Sequence, residues 1–292
     1  AVVAEEVDPF AAPESRPLIA EPNIRVGLYK TDKVVQFVSD FVYEVYSGEE
    51  SIGLLSPGET ASMSYNKGMY SLTSDSLEYV SENYLRFVPE DGRDYFTLVN
   101  YKRPVKGRKN INFNAYRGVL EYRYAPKSAI AYVINELPLD AYVAGVAETY
   151  NTSPYEYVKS LAVAARSYAY SNISKLLPTE KRMFDVYPTT VDQIYLGYNS
   201  ELFMPNVAQA ALDTAGEMVT YKGDPVPTPY FSHSDGKTRN WKKPGRPWLK
   251  SVKAVYDKGL KMYGHGFGMS NRDAEKHAKK DGWTYDQILK YY

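Results

Sequence analysis

The chain has 292 residues, of which 44% are hydrophobic and 24% charged, values typical of a folded protein with two domains or one large one. Its 35 Lys and Arg residues balance 35 Asp and Glu residues, which argues against a nucleic-acid-binding protein, because such proteins need a basic excess or patch. Cysteine is absent, so disulfides and thiolate metal sites are excluded, and no apolar run reaches the roughly 18 residues of a membrane span.

The N-terminal third is expected to contain a linker followed by strands. Residues 1–22 are rich in Ala, Glu and Pro without any period, which predicts a disordered linker or a processed N terminus. Residues 23–112 contain alternating apolar runs separated by turn signals, which predicts a strand-rich N-terminal domain, either separate or integral to the fold. Most of the 29 tyrosines suit sheet faces, and some suit stacking on sugars.

Two strands and two helices are predicted next. Residues 116–124 and 128–137 favour strands, and the apolar spacing of LPLDAYVAGVAE predicts a helix that runs out near Glu148. A second helix is predicted over 154–170, because Ser153 and Glu156 are spaced as a capping box around Pro154.

The C-terminal part alternates short elements and loops. We expect a strand and turn over 184–198, a helix over 206–216 and a hairpin over 217–234 that turns at 222–224. GHGFGMS at 264–270 is a glycine-rich loop, and capped helices are predicted to begin after Ser270 and Thr284. Short helices around antiparallel strands predict an α+β fold.

The order of these motifs is similar to that of a known family. YRGVLEY, NELPLDAYVAGVAE, SPYEYVKSLAVAARSYA, DQIYLGY, TAGEMVTYKGDPV, YFSHSDGKT, GHGFGMS and YDQILKYY together resemble the stage II sporulation protein D (SpoIID/LytB, amidase-enhancer) family. The resemblance covers roughly residues 115–292, and it implies a mixed catalytic domain over 113–292. IRVGL, near the start of the strand-rich part, is also similar to the family's N-terminal part.

The resemblance implies an extracytoplasmic enzyme, either secreted or associated with the cell envelope. Members are peptidoglycan lytic transglycosylases that cleave MurNAc–GlcNAc bonds, prefer glycan stripped of stem peptides, leave 1,6-anhydroMurNAc ends and work beside a cell-wall amidase. No cofactor is implied. The catalytic acid of the family lies shortly before the AVAAR helix, which is where Glu148 lies, 18 residues before Arg166.

One carboxylate is sufficient for this chemistry. Hydrolysing glycosidases need a pair of carboxylates, whereas in a lytic transglycosylase the muramic acid's own 6-hydroxyl is the nucleophile. The acid must stay protonated near neutral pH. We therefore expect burial against Tyr142, Tyr150 and Tyr155 to raise the pKa of Glu148 more than the dipole of the following helix lowers it.

Several further side chains are expected to bind the glycan. The candidates, drawn from the motifs above, are Tyr142, Tyr150, Arg166, Gln193, Tyr195, Ser232, His233, Ser234, Lys237, His265 and Ser270. Arg166 has two interpretations, either binding the lactyl carboxylate or joining its helix to Asp140 or Glu136. His277 lies in a charged stretch and is interpreted as solvated.

The sequence departs from the family pattern at four places. Thr149-Tyr150 follows the acid where Met-Pro is usual, Ser234-Asp235-Gly236 replaces SGG, and Asn271 and Asp273 replace the expected Gln and Gly. Thr190, Val191 and Asp192 occupy the region where some members carry a Cys/His metal site, so no zinc is expected there.

Two other functions stay open at this point. The chain could be a non-catalytic glycan-binding protein that recruits or enhances an amidase. It could also be a conventional glycosidase, which would need a second carboxylate about 5–9.5 Å from Glu148, with Asp192, Asp235 and Asp273 as candidates.

Overall fold

The structure is a computed structural model that describes residues 21–108, 110–173 and 183–292. The expected linker lies outside these ranges as far as residue 20. The described strands are β1 (Asn23–Thr31), β2 (Val35–Val38), β3 (Tyr43–Ser47), β4 (Glu50–Leu55), β5 (Thr60–Asn66), β6 (Met69–Thr73), β7 (Glu78–Ser81), β8 (Leu85–Pro89), β9 (Tyr95–Leu98), β10 (Ala115–Arg117), β11 (Val119–Ala125), β12 (Ile130–Pro138), β13 (Thr220–Tyr221), β14 (Asp224–Pro225), β15 (Tyr230–Phe231) and β16 (Met269–Ser270).

Short helices accompany these strands. The α-helices are α1 (Leu139–Ala144), α2 (Tyr155–Ile173), α3 (Tyr198–Phe203), α4 (Pro205–Asp213), α5 (Asn271–Lys276) and α6 (Tyr285–Tyr291), with a 3-10 turn at Val255–Asp257 and a π-helix at His277–Asp281. Antiparallel sheets with a few helices confirm the α+β class. None of the described helices combines the length and apolarity needed to cross a membrane.

Two antiparallel six-stranded sheets form the N-terminal half, which we call the double sheet. One has the order β1-β12-β11-β8-β3-β4 and the other β10-β9-β2-β5-β6-β7. Alternate residues of their strands are buried, as the period-2 pattern requires, and the rings of Phe37 and Phe87 meet edge-to-face at 4.7 Å between the sheets.

Gly118 divides the strand expected over 116–124. Its backbone is left-handed (φ +78°), and a side chain there would crowd the Glu136 carbonyl oxygen, so only glycine fits. β10 therefore joins one sheet and β11 the other. Strands from both sides of residue 112 share these sheets, and the division into domains stays a prediction.

The helix expected to reach Glu148 ends four residues earlier. α1 stops at Ala144, and the amide of Gly145 donates to the carbonyl oxygens of Ala141 and Tyr142. The chain then extends beside the DQIYLGY segment: the amide of Ala147 donates to the carbonyl of Ile194 at 2.8 Å, and that of Leu196 to Gly145 at 2.9 Å. Glu148 thus leaves the helix and is held by a strand-like pairing.

The later elements largely follow the expectations. α2 is 19 residues long and buries its alanine stripe. β13 and β14 confirm the turn of the expected hairpin at Lys222 and Gly223, but the hairpin is shorter than 217–234, because β15 pairs in parallel with β16. Thr284 forms a full capping box with Gln287. Ser270 stands at the N-cap of α5 without capping it, because its hydroxyl donates to Asp257 at 2.5 Å.

Candidate functional site

A cleft of about 810 Å³ opens beside Glu148. It lies between the loop after α1, the segment around 190–193, β15 and the glycine-rich loop. The lining residues are Glu148, Thr149, Tyr150, Ser153, Tyr157, Tyr168, Thr190, Val191, Asp192, Gln193, Pro229, Tyr230, Phe231, Ser232, Trp241, Arg246, Tyr263, Gly264, His265, Phe267, Asn271, Arg272 and Glu275. The structure therefore brings together five of the expected site residues, namely Glu148, Tyr150, Gln193, Ser232 and His265.

Glu148 is partly buried in this cleft and is oriented by one backbone group. Its Oε1 accepts a hydrogen bond of 2.7 Å from the amide of Ile194. An amide can only donate, so Oε1 must accept, and in the neutral acid the proton lies on Oε2.

Burial raises the pKa of Glu148, and the hydrogen bond from the Ile194 amide lowers it by less. No charged side chain of the described residues contributes to this shift. The expected direction is confirmed, but the shielding differs from the expectation. Tyr150 is 74% exposed, and Tyr155 lies outside the cleft lining with its hydroxyl bonded to Asp213.

Two buried tyrosines and one half-buried tyrosine surround the acid instead. Tyr142, Tyr157 and Tyr230 all lie close enough for the Glu148 charge to raise the pKa of their hydroxyls, in addition to the larger effect of burial. The hydroxyl of Tyr142 donates to Oε1 of Gln193 at 3.0 Å, and Nε2 of Gln193 donates to the hydroxyl of Tyr230 at 2.9 Å. This Tyr142–Gln193–Tyr230 chain fixes the wall of the cleft behind the acid.

Tyr195 supports this wall from the core. Its ring stacks on Tyr142 at 4.9 Å, and its hydroxyl donates to Asn135 at 2.9 Å. Tyr142 and Tyr195 are both essentially inaccessible, so the expectation that they contact the glycan does not fit their placement.

Arg166 is likewise buried, and the interpretation that it joins its helix to Asp140 is confirmed. Its Nε pairs with Asp140, and its other nitrogens donate to the carbonyl oxygens of Ala211 at 2.8 Å and Glu217 at 3.1 Å. Arg166 therefore joins α2 to α1 and to the end of α4 and is unavailable to a ligand carboxylate.

Ser234 and Ser270 are buried beneath the cleft around Asp257. Both hydroxyls and the Ser234 amide donate to Oδ2 of Asp257, and Arg272 pairs with Oδ1 at 3.1 Å. Both side chains are inaccessible and bonded to Asp257, so the expectation that they contact the glycan does not fit their placement.

Exposed rings line the mouth of the cleft. Tyr263 is 70% exposed and stacks on His233, which is bridged to it by backbone hydrogen bonds. Ser232 Oγ lies 3.2 Å from Nδ1 of His233. Lys237 is exposed a few residues further along the chain, and both Lys237 and His233 lie outside the lining of the cleft.

His265 reaches the mouth from the glycine-rich loop. Its Nδ1 accepts from the amide of Phe267 at 3.1 Å, and its ring packs on Phe231 and Phe267. The side of the ring that packs on these two phenylalanines is shielded from water, which lowers the pKa of His265, and the hydrogen bond to the Tyr230 backbone raises it by less. The lowered pKa favours the neutral ring near pH 7.

Several cleft residues were missed from the sequence. Tyr157 and Tyr230 belong to the motifs quoted above, whereas Trp241 and Arg272 lie just outside them, and only long-range packing brings all four to the cleft. Asn271 also lines the cleft, and its Oδ1 is buried without a hydrogen-bond partner among the described residues.

Arg108 was also missed, since it comes from the strand-rich half. Its Nη2 lies within 3.4 and 3.5 Å of the carbonyl oxygens of Ala147 and Thr149, the two neighbours of Glu148. The guanidinium packs over the rings of Phe113 and Phe203.

The candidate second carboxylates have separate positions. Asp192 lines the cleft and accepts from the hydroxyl of Tyr168 and the amide of Tyr187. Asp235 pairs with Arg239 outside the lining, and Asp273 is buried and accepts from the Tyr292 hydroxyl. Glu275 lines the cleft and was not anticipated. No cluster of three His, Asp or Glu side chains that could hold a metal ion occurs within the described ranges.

His277 is buried, which makes the expectation of a solvated side chain wrong. Its ring stacks on Trp283 at 3.9 Å, and its Nδ1 lies 2.7 Å from Asp281. The helix there widens to a π-helix, which turns His277 inward among aromatic residues near the C terminus.

A family model agrees with this arrangement. Residues 128–221 match the model described as SpoIID, Stage II sporulation protein. The matched segment contains α1, Glu148, α2 and Gln193, the elements that position the acid. This segment of the chain is therefore similar to the SpoIID family.

Two curated relatives named Stage II sporulation protein D extend this similarity. The chain is 30% identical over 183 residues to Stage II sporulation protein D of Bacillus subtilis (strain 168), covering 57% of this chain and 51% of the relative. It is 29% identical over 149 residues to the protein of that name in Bacillus amyloliquefaciens, covering 44% of this chain and 42% of the relative. An uncharacterized protein of Brachyspira hyodysenteriae is 39% identical over 124 residues, 42% of this chain and 32% of the relative.

The SpoIID match does not extend over the whole site. The chain spans about half the length, or less, of the curated relatives it matches. The wall formed by β15, Trp241 and the glycine-rich loop lies beyond the segment that the family model matches.

Proposed function

We propose that this SpoIID-like chain is a peptidoglycan lytic transglycosylase with Glu148 as its acid and base. The observation that carries the proposal is the state of this carboxyl group. It opens onto a large cleft, its pKa is raised by burial, and no charged side chain of the described residues contributes to the shift. A single neutral acid is what an intramolecular reaction needs, since the substrate provides the nucleophile.

The reaction follows from the geometry of the acid. Oε2 of Glu148 gives its proton to the glycosidic oxygen between MurNAc and GlcNAc, and the C1–O bond breaks. The 6-hydroxyl oxygen of MurNAc attacks C1 and forms the 1,6-anhydro ring, while its proton passes to the Glu148 carboxylate. The acid is restored, and no water is consumed.

The remaining surfaces of the cleft support a glycan ligand. Tyr150, Tyr263 and Trp241 present aromatic faces, and such faces stack on the apolar faces of sugar rings. The side chains of Ser232, His265 and Asn271 line the same cleft and carry polar groups that suit sugar hydroxyls or amides.

The proposal includes a cellular setting. Similarity to SpoIID supports an association with the cell wall. We place the protein outside the cytoplasm, with denuded glycan strands as substrate and a cell-wall amidase as the partner that removes the stem peptides.

The test is a product assay with purified glycan strands, with and without stem peptides. Wild-type protein and Glu148→Gln are incubated with each, and the ends are identified by mass spectrometry. We expect 1,6-anhydroMurNAc ends from the wild type and a loss of rate of roughly 10²–10⁴-fold in Glu148→Gln. Glu275→Gln is the matched control, because it removes a carboxylate from the same cleft.

Other outcomes of this assay would support a different function. Reducing ends would indicate hydrolysis, with Asp192 or Glu275 as the second carboxylate. Glycan binding by both proteins without any product would identify a binding protein that acts through an amidase.

A further inference from the structure

The positive charge of this neutral chain is concentrated beside the cleft. Residues 237–261 contain nine Lys or Arg residues and a single acidic residue, Asp257. Asp257 is buried and already bonded to Ser234, Ser270 and Arg272, so it does not neutralise the surface of this segment.

Part of this segment forms a two-stranded ribbon, residues 236–254, which we call the basic ribbon. Amides of Thr238, Trp241 and Ala254 donate to carbonyl oxygens on the opposite side of the ribbon at 2.9–3.0 Å. Lys237 and Lys253 are directly opposed in it. The bonds that flank them make them a non-hydrogen-bonded pair, in which side chains approach most closely.

Like charges directly opposite each other destabilise an antiparallel pair. Within the described residues, neither Lys237 nor Lys253 forms an ion pair with a carboxylate, and the nearby Asp235 is bonded to Arg239 at 2.6 Å. Lys242, Lys243 and Lys250 at the other end of the ribbon are also exposed and form no ion pair in the described parts of the chain. A local loss of stability from like charges is expected where a surface binds a ligand.

The basic ribbon is continuous with the cleft. The amide of Arg239 donates to the carbonyl of Gly266 at 2.8 Å, so the ribbon lies along the glycine-rich loop. Trp241 packs edge-to-face on Phe267 at 4.9 Å, and Arg246 lies over Trp241 at 4.5 Å. Trp241 and Arg246 both line the cleft that contains Glu148. A strand that leaves the cleft past Trp241 therefore meets the lysines.

We propose that the basic ribbon binds the carboxylates of the same glycan strand, beyond the bond that is cleaved. This inference rests on the proposed function, because it takes the occupant of the cleft to be a glycan with one lactyl carboxylate on each muramic acid. Exposed lysines attract such a repeating anion at long range and release it readily, which suits a strand that must be moved and bound again. A strand with free carboxylates is then preferred over an uncharged one.

The experiment measures binding in the full chain with Glu148→Gln, which keeps the strands intact. The ligands are glycan strands without stem peptides, either with free lactyl carboxylates or with the carboxylates converted to amides. K242Q/K243Q/K250Q is added to remove charge from the ribbon. The matched control is K30Q/K33Q/K67Q, which removes the same charge from exposed positions of the double sheet.

We expect the ribbon variant to bind carboxylated strands roughly tenfold more weakly and the control less than twofold more weakly. Amidated strands should bind equally to all three proteins, and added salt should weaken the binding of carboxylated strands to the parent most. Equal affinities of the ribbon variant and the control for carboxylated strands would overturn the inference. Stronger competition by an oligonucleotide or a polyphosphate of equal charge would overturn the assignment to glycan.

Failure of the proposed function would give a different pattern. A wild-type protein that forms no anhydro ends but shows ribbon-dependent binding would contradict the transglycosylase proposal and support the role of the ribbon. Anhydro ends with a KM that does not depend on the ribbon charges would support the transglycosylase proposal and contradict the role of the ribbon.

Discussion

The double sheet and the cleft are stabilised in different ways. In the double sheet, hairpins join neighbouring strands such as β3 and β4 or β5 and β6, and the core is formed by alternate apolar side chains. In the cleft, the contacting segments are far apart in the chain, and buried polar groups hold them: Ile194 to Glu148, Gln193 to Tyr230, and Ser234 to Asp257. The sheet tolerates many apolar combinations, whereas each polar contact of the cleft depends on a particular atom.

The largest difference in stability between the two regions is expected from substitution of Arg166. Arg166→Met leaves Asp140 without its cation and removes the guanidinium donors of the Ala211 and Glu217 carbonyl oxygens, so we expect a loss of about 3–5 kcal/mol in the free energy of unfolding. Denaturant titration measures it. Arg86→Met in the double sheet is the comparison, and a smaller loss is expected, because Arg25 still pairs with both of the carboxylates that Arg86 contacts. Equal losses would remove this distinction between the regions.

Gly268 tests how closely the cleft loops are packed. A Cβ at Gly268 would overlap the Pro229 carbonyl oxygen, whereas Gly216 has nearly the same φ, +73° against +72°, with nothing within 4 Å. Gly216→Ala should cost about 1–2 kcal/mol of left-handed strain. Gly268→Ala should cost more than Gly216→Ala and should also lower activity, because β15 and the glycine-rich loop must separate. If denaturation midpoints of the two variants coincide, the loop is less tightly constrained than described.

Two tyrosine hydroxyls compare the regions directly. Tyr43→Phe removes a hydroxyl that donates to Gly118 in the double sheet, and Tyr142→Phe removes one that donates to Gln193 behind the acid. Both hydroxyls are buried, so each change should cost about 1–3 kcal/mol of stability. Only Tyr142→Phe should also lower kcat, since it frees the Gln193 side chain. Similar kcat values for both variants would show that the Tyr142–Gln193–Tyr230 chain does not position the acid.

The smallest expected effect concerns the pH dependence of stability. Because the folded pKa of Glu148 is raised, the folded state binds a proton more tightly than the unfolded state does, and wild-type stability falls as pH rises through the interval between the two pKa values. Glu148→Gln removes this loss. Its melting temperature relative to wild type should therefore be higher at pH 8 than at pH 4. A difference that is constant with pH would contradict the raised pKa.

Much of the double sheet was predictable because its signals are local. Period-2 alternation between turn residues identified the strands, and the capping box at Thr284 identified α6. The early end of α1 was not predictable, because the apolar spacing continues to Val146 while the backbone of 145–147 pairs with residues 194–196.

The sequence by itself determined the α+β class and the positions of most elements, since spacing and local propensity suffice for these, and its motif resemblance to the SpoIID family implied Glu148 as the candidate acid. Only the tertiary structure decided which of the twelve candidates reach the cleft. Like Glu148, the residues Arg166, Tyr142, Tyr195, Ser234 and Ser270 lie in the quoted motifs, but their polar atoms are buried against partners 13–60 residues away. The pKa of Glu148 and the course of the basic ribbon toward the cleft depend on the same long-range packing. Burial and the distance between charges arise only when distant parts of the chain are packed together.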